Sequence, residues 1–146
     1  MSKSLNVDIY LYSCHFYEIK HQDKRWNANP DAPLSEVDSV FESALDAVGF
    51  FPDSDKLWRA YEAFLNSKPI AQRTPEVWRS FYHRVIAIPT ASVKSFWEEF
   101  SKMESALLTD QLADPQQCQE RLKETLGPFF ARFSLASSVL EALKSE

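Results

Sequence analysis

The sequence feature that most constrains the fold is a pattern of large apolar residues that occurs twice along the chain. Trp58, Tyr61 and Phe64 are spaced by three residues, and the same spacing recurs 39 residues later between Trp97 and Met103. Residues three apart lie on one face of an α-helix, so each triplet forms an apolar edge. A single helix cannot bury such an edge alone, and two-helix units of about forty residues are typical of an α-solenoid.

The rest of the pattern supports the same interpretation. A weaker copy of the triplet runs from Tyr10 to Phe16, on a predicted apolar face of the first helix. Between the triplets, residues 41–45 match residues 82–86 at an offset of 41, as second helices of successive units would. The small Ala44 in the first of these segments allows its helix to approach a partner closely.

Capping and breaking residues predict about seven helices in antiparallel pairs, an all-α fold. Ser35 is a good N-cap and Gly49 ends the helix that follows. Thr74 followed by Pro75 predicts another helix start, while Pro89 and the Gly127–Pro128 pair predict helix ends. No segment alternates apolar and polar residues as a half-buried strand would.

The length of 146 residues favours a single domain. We expect one helical-repeat domain over residues 1–146, with repeat units at about 5–49, 53–89 and 90–126 and a final helix at 128–144.

The amino-acid composition argues against several functional classes of protein. The chain has only two glycines, whereas phosphate-binding loops of the P-loop or Rossmann type need several in one turn. The formal net charge of −5 argues against binding to duplex nucleic acid, which usually requires a basic face. No apolar run approaches the ~20 residues of a membrane span, and the N-terminus shows no signal-peptide pattern.

Histidines and cysteines form no catalytic or metal-binding pattern. His15, His21 and His83 include no pair four residues apart, and Cys14 and Cys118 match neither a zinc motif nor a disulfide framework. We therefore expect no enzymatic activity, no metal site and no cofactor.

Nucleic-acid contact has two candidate sources. Trp26 lies in a polar loop and either contacts a partner or folds back on the core, whereas the other tryptophans lie on apolar helix faces. A group of basic residues could bind RNA or an acidic protein; it contains Arg73, Arg79, Arg84 and Lys94. Direct RNA contact is an alternative that we do not favour.

The last predicted helix is apolar over a broad arc, so more than one of its faces should be buried. The simpler interpretation is that this helix caps the open end of the solenoid. The alternative is that it is a docking helix for another subunit. Its main apolar face consists of Phe129, Phe133, Ala136, Leu140 and Leu143, and a second side consists of Phe130, Leu135 and Val139.

These residues resemble a known family. The aromatic triplets, followed by a helix that carries Arg84 and ends at Pro89, resemble the HAT (half-a-TPR) repeat of RNA-processing proteins. Over residues 5–104, the order and spacing of 7–10, 40–49, 54–58 and 82–90 are similar to the N-terminal HAT array of the Prp-thirty-nine family of pre-mRNA-splicing factors. The HAT subunit of cleavage stimulation factor is a less similar relative.

The resemblance implies a non-enzymatic scaffold for protein subunits of an RNA-processing ribonucleoprotein. The first expectation is splicing at the 5′-splice-site (U-one) snRNP in the nucleus. The alternatives are the mRNA 3′-end cleavage and polyadenylation machinery or a small helical RNA-binding module.

Two sets of site residues follow from these arguments. The repeat-signature core is predicted at Tyr10, Phe16, Phe41, Ala44, Leu45, Trp58, Tyr61, Phe64, Trp78, Tyr82, Arg84, Val85, Pro89, Trp97 and Phe100. The candidate partner-binding residues are Trp26, Phe129, Phe133, Leu140 and Leu143.

Overall fold

The computed structural model describes residues 3–22 and 35–145, and these contain α-helices with no β-strand. The all-α prediction is therefore confirmed. The six α-helices and one short 3₁₀ helix are α1 (Lys3–Gln22), α2 (Ser35–Val48), α3 (Asp55–Ser67), the 3₁₀ helix Ile70–Gln72, α4 (Pro75–Val85), α5 (Val93–Gln111) and α6 (Pro115–Lys144). Their contacts form two compact units, Met1–Ser67 and Lys68–Glu146. The predicted boundaries of the repeat units stay a prediction.

The first unit packs α1, α2 and α3 against one another. Phe41 of α2 is fully buried, and its ring stacks on Phe64 of α3 with centroids 5.2 Å apart. The hydroxyl of Tyr61 donates a hydrogen bond of 2.9 Å to Glu42 on α2, so this aromatic ring is buried while its polar end is satisfied. The α3 aromatic triplet therefore joins α3 to α2.

A hydrogen-bonded turn fixes the chain between α2 and α3. The carbonyl oxygen of Gly49 accepts hydrogen bonds from Ser54 Oγ at 2.7 Å and from the Trp58 indole at 3.1 Å. A Cβ at position 49 would collide with the backbone carbonyl of Leu45, so this close approach requires glycine. The buried Trp58 thus has both an apolar and a hydrogen-bonding function in the core.

The first helix buries a different face from the one predicted. Val7 and Cys14, two helical turns apart, are fully buried, whereas Tyr10 and Phe16 are exposed. The prediction that Tyr10 and Phe16 belong to the core is therefore wrong. The reason is that α1 carries two apolar stripes, and the stripe with the smaller side chains packs against α2 and α3.

The second unit packs α5 against α4 and α6. Thr74 caps α4 by accepting a hydrogen bond from the Val77 amide, and Asp114 caps α6 by accepting one of 3.0 Å from the Gln116 amide. Proline follows each cap at the first helical position, where its missing N–H costs no hydrogen bond.

The predicted break at Gly127–Pro128 is wrong, because α6 continues through it for 30 residues. A proline inside a helix loses one hydrogen bond and costs about 3 kcal/mol. Both residues of the pair are exposed, and the next turn carries Phe129 and Phe133, whose rings stack on α4 and α5. We attribute the continuous helix to this aromatic packing.

Candidate protein-interaction surface

Aromatic rings join the three helices of the second unit. Phe129 of α6 stacks on His83 of α4 with centroids 3.8 Å apart and planes 13° from parallel. One turn later, Phe133 stacks on Trp97 of α5 at 4.8 Å and 6°. Phe100 lies edge-on to both His83 and Phe129, at 5.4 and 5.9 Å. The inner face of α6 is therefore occupied by contacts within the unit.

The position of His83 makes its proton uptake unfavourable. Burial against the two phenylalanine rings lowers the pKa of His83, and the nearby positive charges of Arg132 and Arg79 lower it further. The carboxylate of Glu104 acts in the opposite direction, more strongly than either arginine but less strongly than burial. The imidazole is thus held in its neutral form as a packing group.

One buried ion pair joins α4 to α5. Glu104 is almost fully buried, and its two carboxylate oxygens accept hydrogen bonds from Arg79 at 2.6 and 3.2 Å. This two-point geometry is the strong form of a charged hydrogen bond. The contact raises the pKa of Arg79, mainly through the hydrogen bond to Glu104.

A row of exposed apolar side chains runs along α6 beside its inner face. Leu135, Val139 and Leu143 are spaced by four residues, so they form one line along the C-terminal half of the helix. We call these three residues the α6 outer stripe. A contiguous exposed apolar surface of this kind is typical of a protein-interaction site.

The partner-binding residues that the sequence predicts on α6 differ in their burial. Leu140 is buried within the unit, so the prediction that it meets a partner is wrong, whereas Phe129 and Phe133 are half-buried by stacking inside the unit and their contact with a partner stays a prediction. Leu143 is exposed and belongs to the α6 outer stripe. The period of the helix places Leu143 with Ala136 and Leu140, and only the packing of the helix shows that Leu143 stays exposed while the other two are buried. Trp26 lies outside the described residues.

The other signature residues differ in burial. Trp78, Arg84, Pro89 and Trp97 are half-buried. The remaining ones are buried and comprise Phe41, Ala44, Leu45, Trp58, Tyr61, Phe64, Tyr82, Val85 and Phe100.

Three of the four residues of the predicted basic group make contacts within the chain. Arg79 pairs with Glu104, and Lys94 lies 3.6 Å from Glu141. Arg84 also has an interaction partner. Residues 68–146 contain ten basic and ten acidic side chains, so the second unit carries no excess of positive charge for RNA.

The described residues contain no group of three or more histidine, cysteine, aspartate or glutamate side chains that could hold a metal ion. Among the described helices, none is long and apolar enough to cross a membrane. Burial raises the pKa of the Cys14 thiol to about 12, which keeps it protonated and poorly nucleophilic.

The all-helical architecture and the buried aromatic positions define the class of helical-repeat proteins. The family profile described as PRP39 N-terminal HAT repeat matches residues 1–102, which is well over half of the chain. The chain therefore belongs to the HAT-repeat family of RNA-processing proteins, whose fold is a helical solenoid.

Several relatives are mRNA 3′-end-processing proteins. The mRNA 3′-end-processing protein RNA14 of Eremothecium gossypii is 26% identical over 106 residues, which are 68% of this chain and 16% of that protein. The RNA14 protein of Candida albicans is 30% identical over 98 residues, 64% of this chain and 12% of the relative. RNA14 of Cryptococcus neoformans is 25% identical over 69% of this chain. The matched region is thus a small part of each relative, and no solved structure matches the chain.

Proposed function

We propose that this protein is a non-enzymatic HAT-repeat scaffold of the mRNA 3′-end cleavage and polyadenylation machinery, acting in the nucleus. The observation that carries the proposal is the HAT-family match together with several relatives named as mRNA 3′-end-processing proteins. The sequence alone favoured splicing, and the names of the relatives support the 3′-end alternative better.

The α6 outer stripe supports a scaffold function through protein contact. Its three aliphatic side chains are exposed on a helix whose neighbouring face is fixed by aromatic stacking. A rigid helix with apolar residues at a spacing of four offers a ridge for a partner's groove or helix. We propose that this stripe contacts a protein subunit of the processing complex.

The test is affinity purification of the tagged chain from nuclear extract, with proteins and RNA both identified. Recovery of 3′-end cleavage factors, reduced at least tenfold by Leu135→Glu, would support the proposal. A matched control is Ile70→Glu, which places the same charge on another exposed apolar side chain of the second unit. This control should retain the partners.

Splicing at the 5′ splice site is the second candidate, because the matching family profile carries the PRP39 description. Recovery of the 5′-splice-site snRNA with its proteins, in place of cleavage factors, would favour it over 3′-end processing. RNA recovered without protein and lost steeply with rising salt would contradict both candidates and indicate direct RNA binding.

A further inference from the structure

The first unit carries an exposed apolar stripe that the proposed function does not use. Ile9, Tyr12, Phe16 and Ile19 on α1 are 55%, 72%, 56% and 67% exposed. We call these four residues the α1 outer stripe. On a helix with 3.6 residues per turn they share one face, opposite the face that buries Val7 and Cys14. A helix that is apolar on two opposite faces is normally buried on both.

The spacing of the α1 outer stripe is symmetric. Its intervals are three, four and three residues, so the pattern reads the same in both directions about residue 14. If a second α1 lay antiparallel across it, Ile9 would face the second copy's Ile19 at each end, and Tyr12 would face its Phe16 in the middle. Every apolar position would then meet another apolar position, as a twofold interface between identical chains requires.

The charges beside the stripe do not oppose this pairing. Asp8 and Lys20 flank the stripe on opposite sides, so antiparallel pairing about residue 14 brings neither of them against its own counterpart. Each also has a partner within its own unit, since Asp8 pairs with Lys56 and Lys20 lies 3.9 Å from Glu36. Asp8 and Lys20 therefore create no like-charge contact with their own counterparts across the two helices.

The exposed area fits a weak dimer. From the ordinary sizes of these side chains, the four residues expose roughly 500 Å² per copy, and two copies would bury about 1,000 Å². This area lies at the low end for specific interfaces, so association should depend on concentration. We propose that two copies of this chain associate through antiparallel contact of their α1 outer stripes.

The first test measures the mass of the full chain by sedimentation equilibrium over a range of concentrations. The average mass should rise from 16.8 kDa toward twice that value, and Phe16→Glu should hold it at 16.8 kDa. The matched control is Phe50→Glu, because Phe50 is an exposed phenylalanine of the same unit that lies outside α1. This variant should associate like the unsubstituted chain, and circular dichroism should show that both variants stay helical.

The second test checks the register without adding a charge. In a Cys118→Ser background, the variants Ile9→Cys and Ile19→Cys are mixed and oxidised mildly with diamide. The mixture should give a disulfide-linked dimer of one chain of each kind, in excess over the products of either variant alone.

Several outcomes would overturn the proposal. One is a mass of 16.8 kDa at every concentration, which would show that the chain does not self-associate. Another is a dimer that survives Phe16→Glu or is lost with Phe50→Glu, and a third is cross-linking that favours like pairs. The proposed dimer is independent of the proposed function, because its interface contains none of the α6 residues.

Discussion

Removing Arg79 tests how the buried charge of Glu104 is tolerated between α4 and α5. Arg79→Met keeps much of the side-chain volume but leaves the Glu104 carboxylate buried without its two-point partner. Breaking a fully buried ion pair costs about 3–5 kcal/mol, and a buried polar group left unsatisfied costs about 1–3 kcal/mol. The Arg79 side chain is 38% exposed, so water can reach the carboxylate after the substitution. We therefore expect a loss of about 2 kcal/mol in the free energy of unfolding.

Two further variants show whether the loss comes from the stranded charge. Glu104→Gln removes the buried charge and leaves the arginine partly in water, so it should cost about 1 kcal/mol or less. The double variant Arg79→Met with Glu104→Met replaces the pair by apolar groups and should recover most of the stability lost by Arg79→Met alone.

The assay is urea unfolding followed by circular dichroism, with the thermal midpoint as a second measure. A loss of 2 kcal/mol corresponds to a fall of roughly 6 °C in Tm for a chain of this size. The reasoning is refuted if Arg79→Met costs less than Glu104→Gln, or if the double variant is no more stable than Arg79→Met.

Three other predictions follow from the structure. Trp58→Ala should cost about 3–5 kcal/mol, and Trp97→Ala should cost clearly less because Trp97 is only half-buried; equal losses in urea unfolding would contradict this assignment. Because the pKa of His83 is lowered from 6.5 in the folded state, its contribution to stability is complete above pH 6.5 and is lost as the pH falls below it. His83→Phe should therefore flatten the decline in Tm between pH 7 and pH 5, and an unchanged slope would argue against it. Cys14, with its pKa raised to about 12, should resist a thiol reagent in the native protein while Cys118 reacts, and both should react in denaturant.

Much of the fold could be predicted from short-range sequence signals. The end of α2 just before Gly49 and the start of α4 after the cap at Thr74 follow local sequence signals, and the helical period of the large residues revealed most of the apolar faces. The aromatic spacing also identified the family, because the packing of each repeat helix on its neighbours requires aromatic residues at these positions.

Other features depended on tertiary packing and could not be read locally. α1 carries apolar residues on two faces. The sequence therefore did not decide whether the face of Val7 or the face of Phe16 packs in the core. The continuation of α6 through Pro128 depends on stacking between Phe129 and His83, which are 46 residues apart in the sequence. The Arg79–Glu104 pair spans 25 residues and has no sequence signature at all.

The central claim is that the chain is a protein-binding scaffold of mRNA 3′-end processing. The most direct measurement is quantitative mass spectrometry of proteins retained by the tagged chain in nuclear extract, compared between the unsubstituted protein, Leu135→Glu and Ile70→Glu. The account predicts 3′-end cleavage factors retained by the unsubstituted protein and the Ile70 variant and lost from the Leu135 variant. Retention of 5′-splice-site snRNP proteins in their place, or equal retention by all three chains, would contradict it.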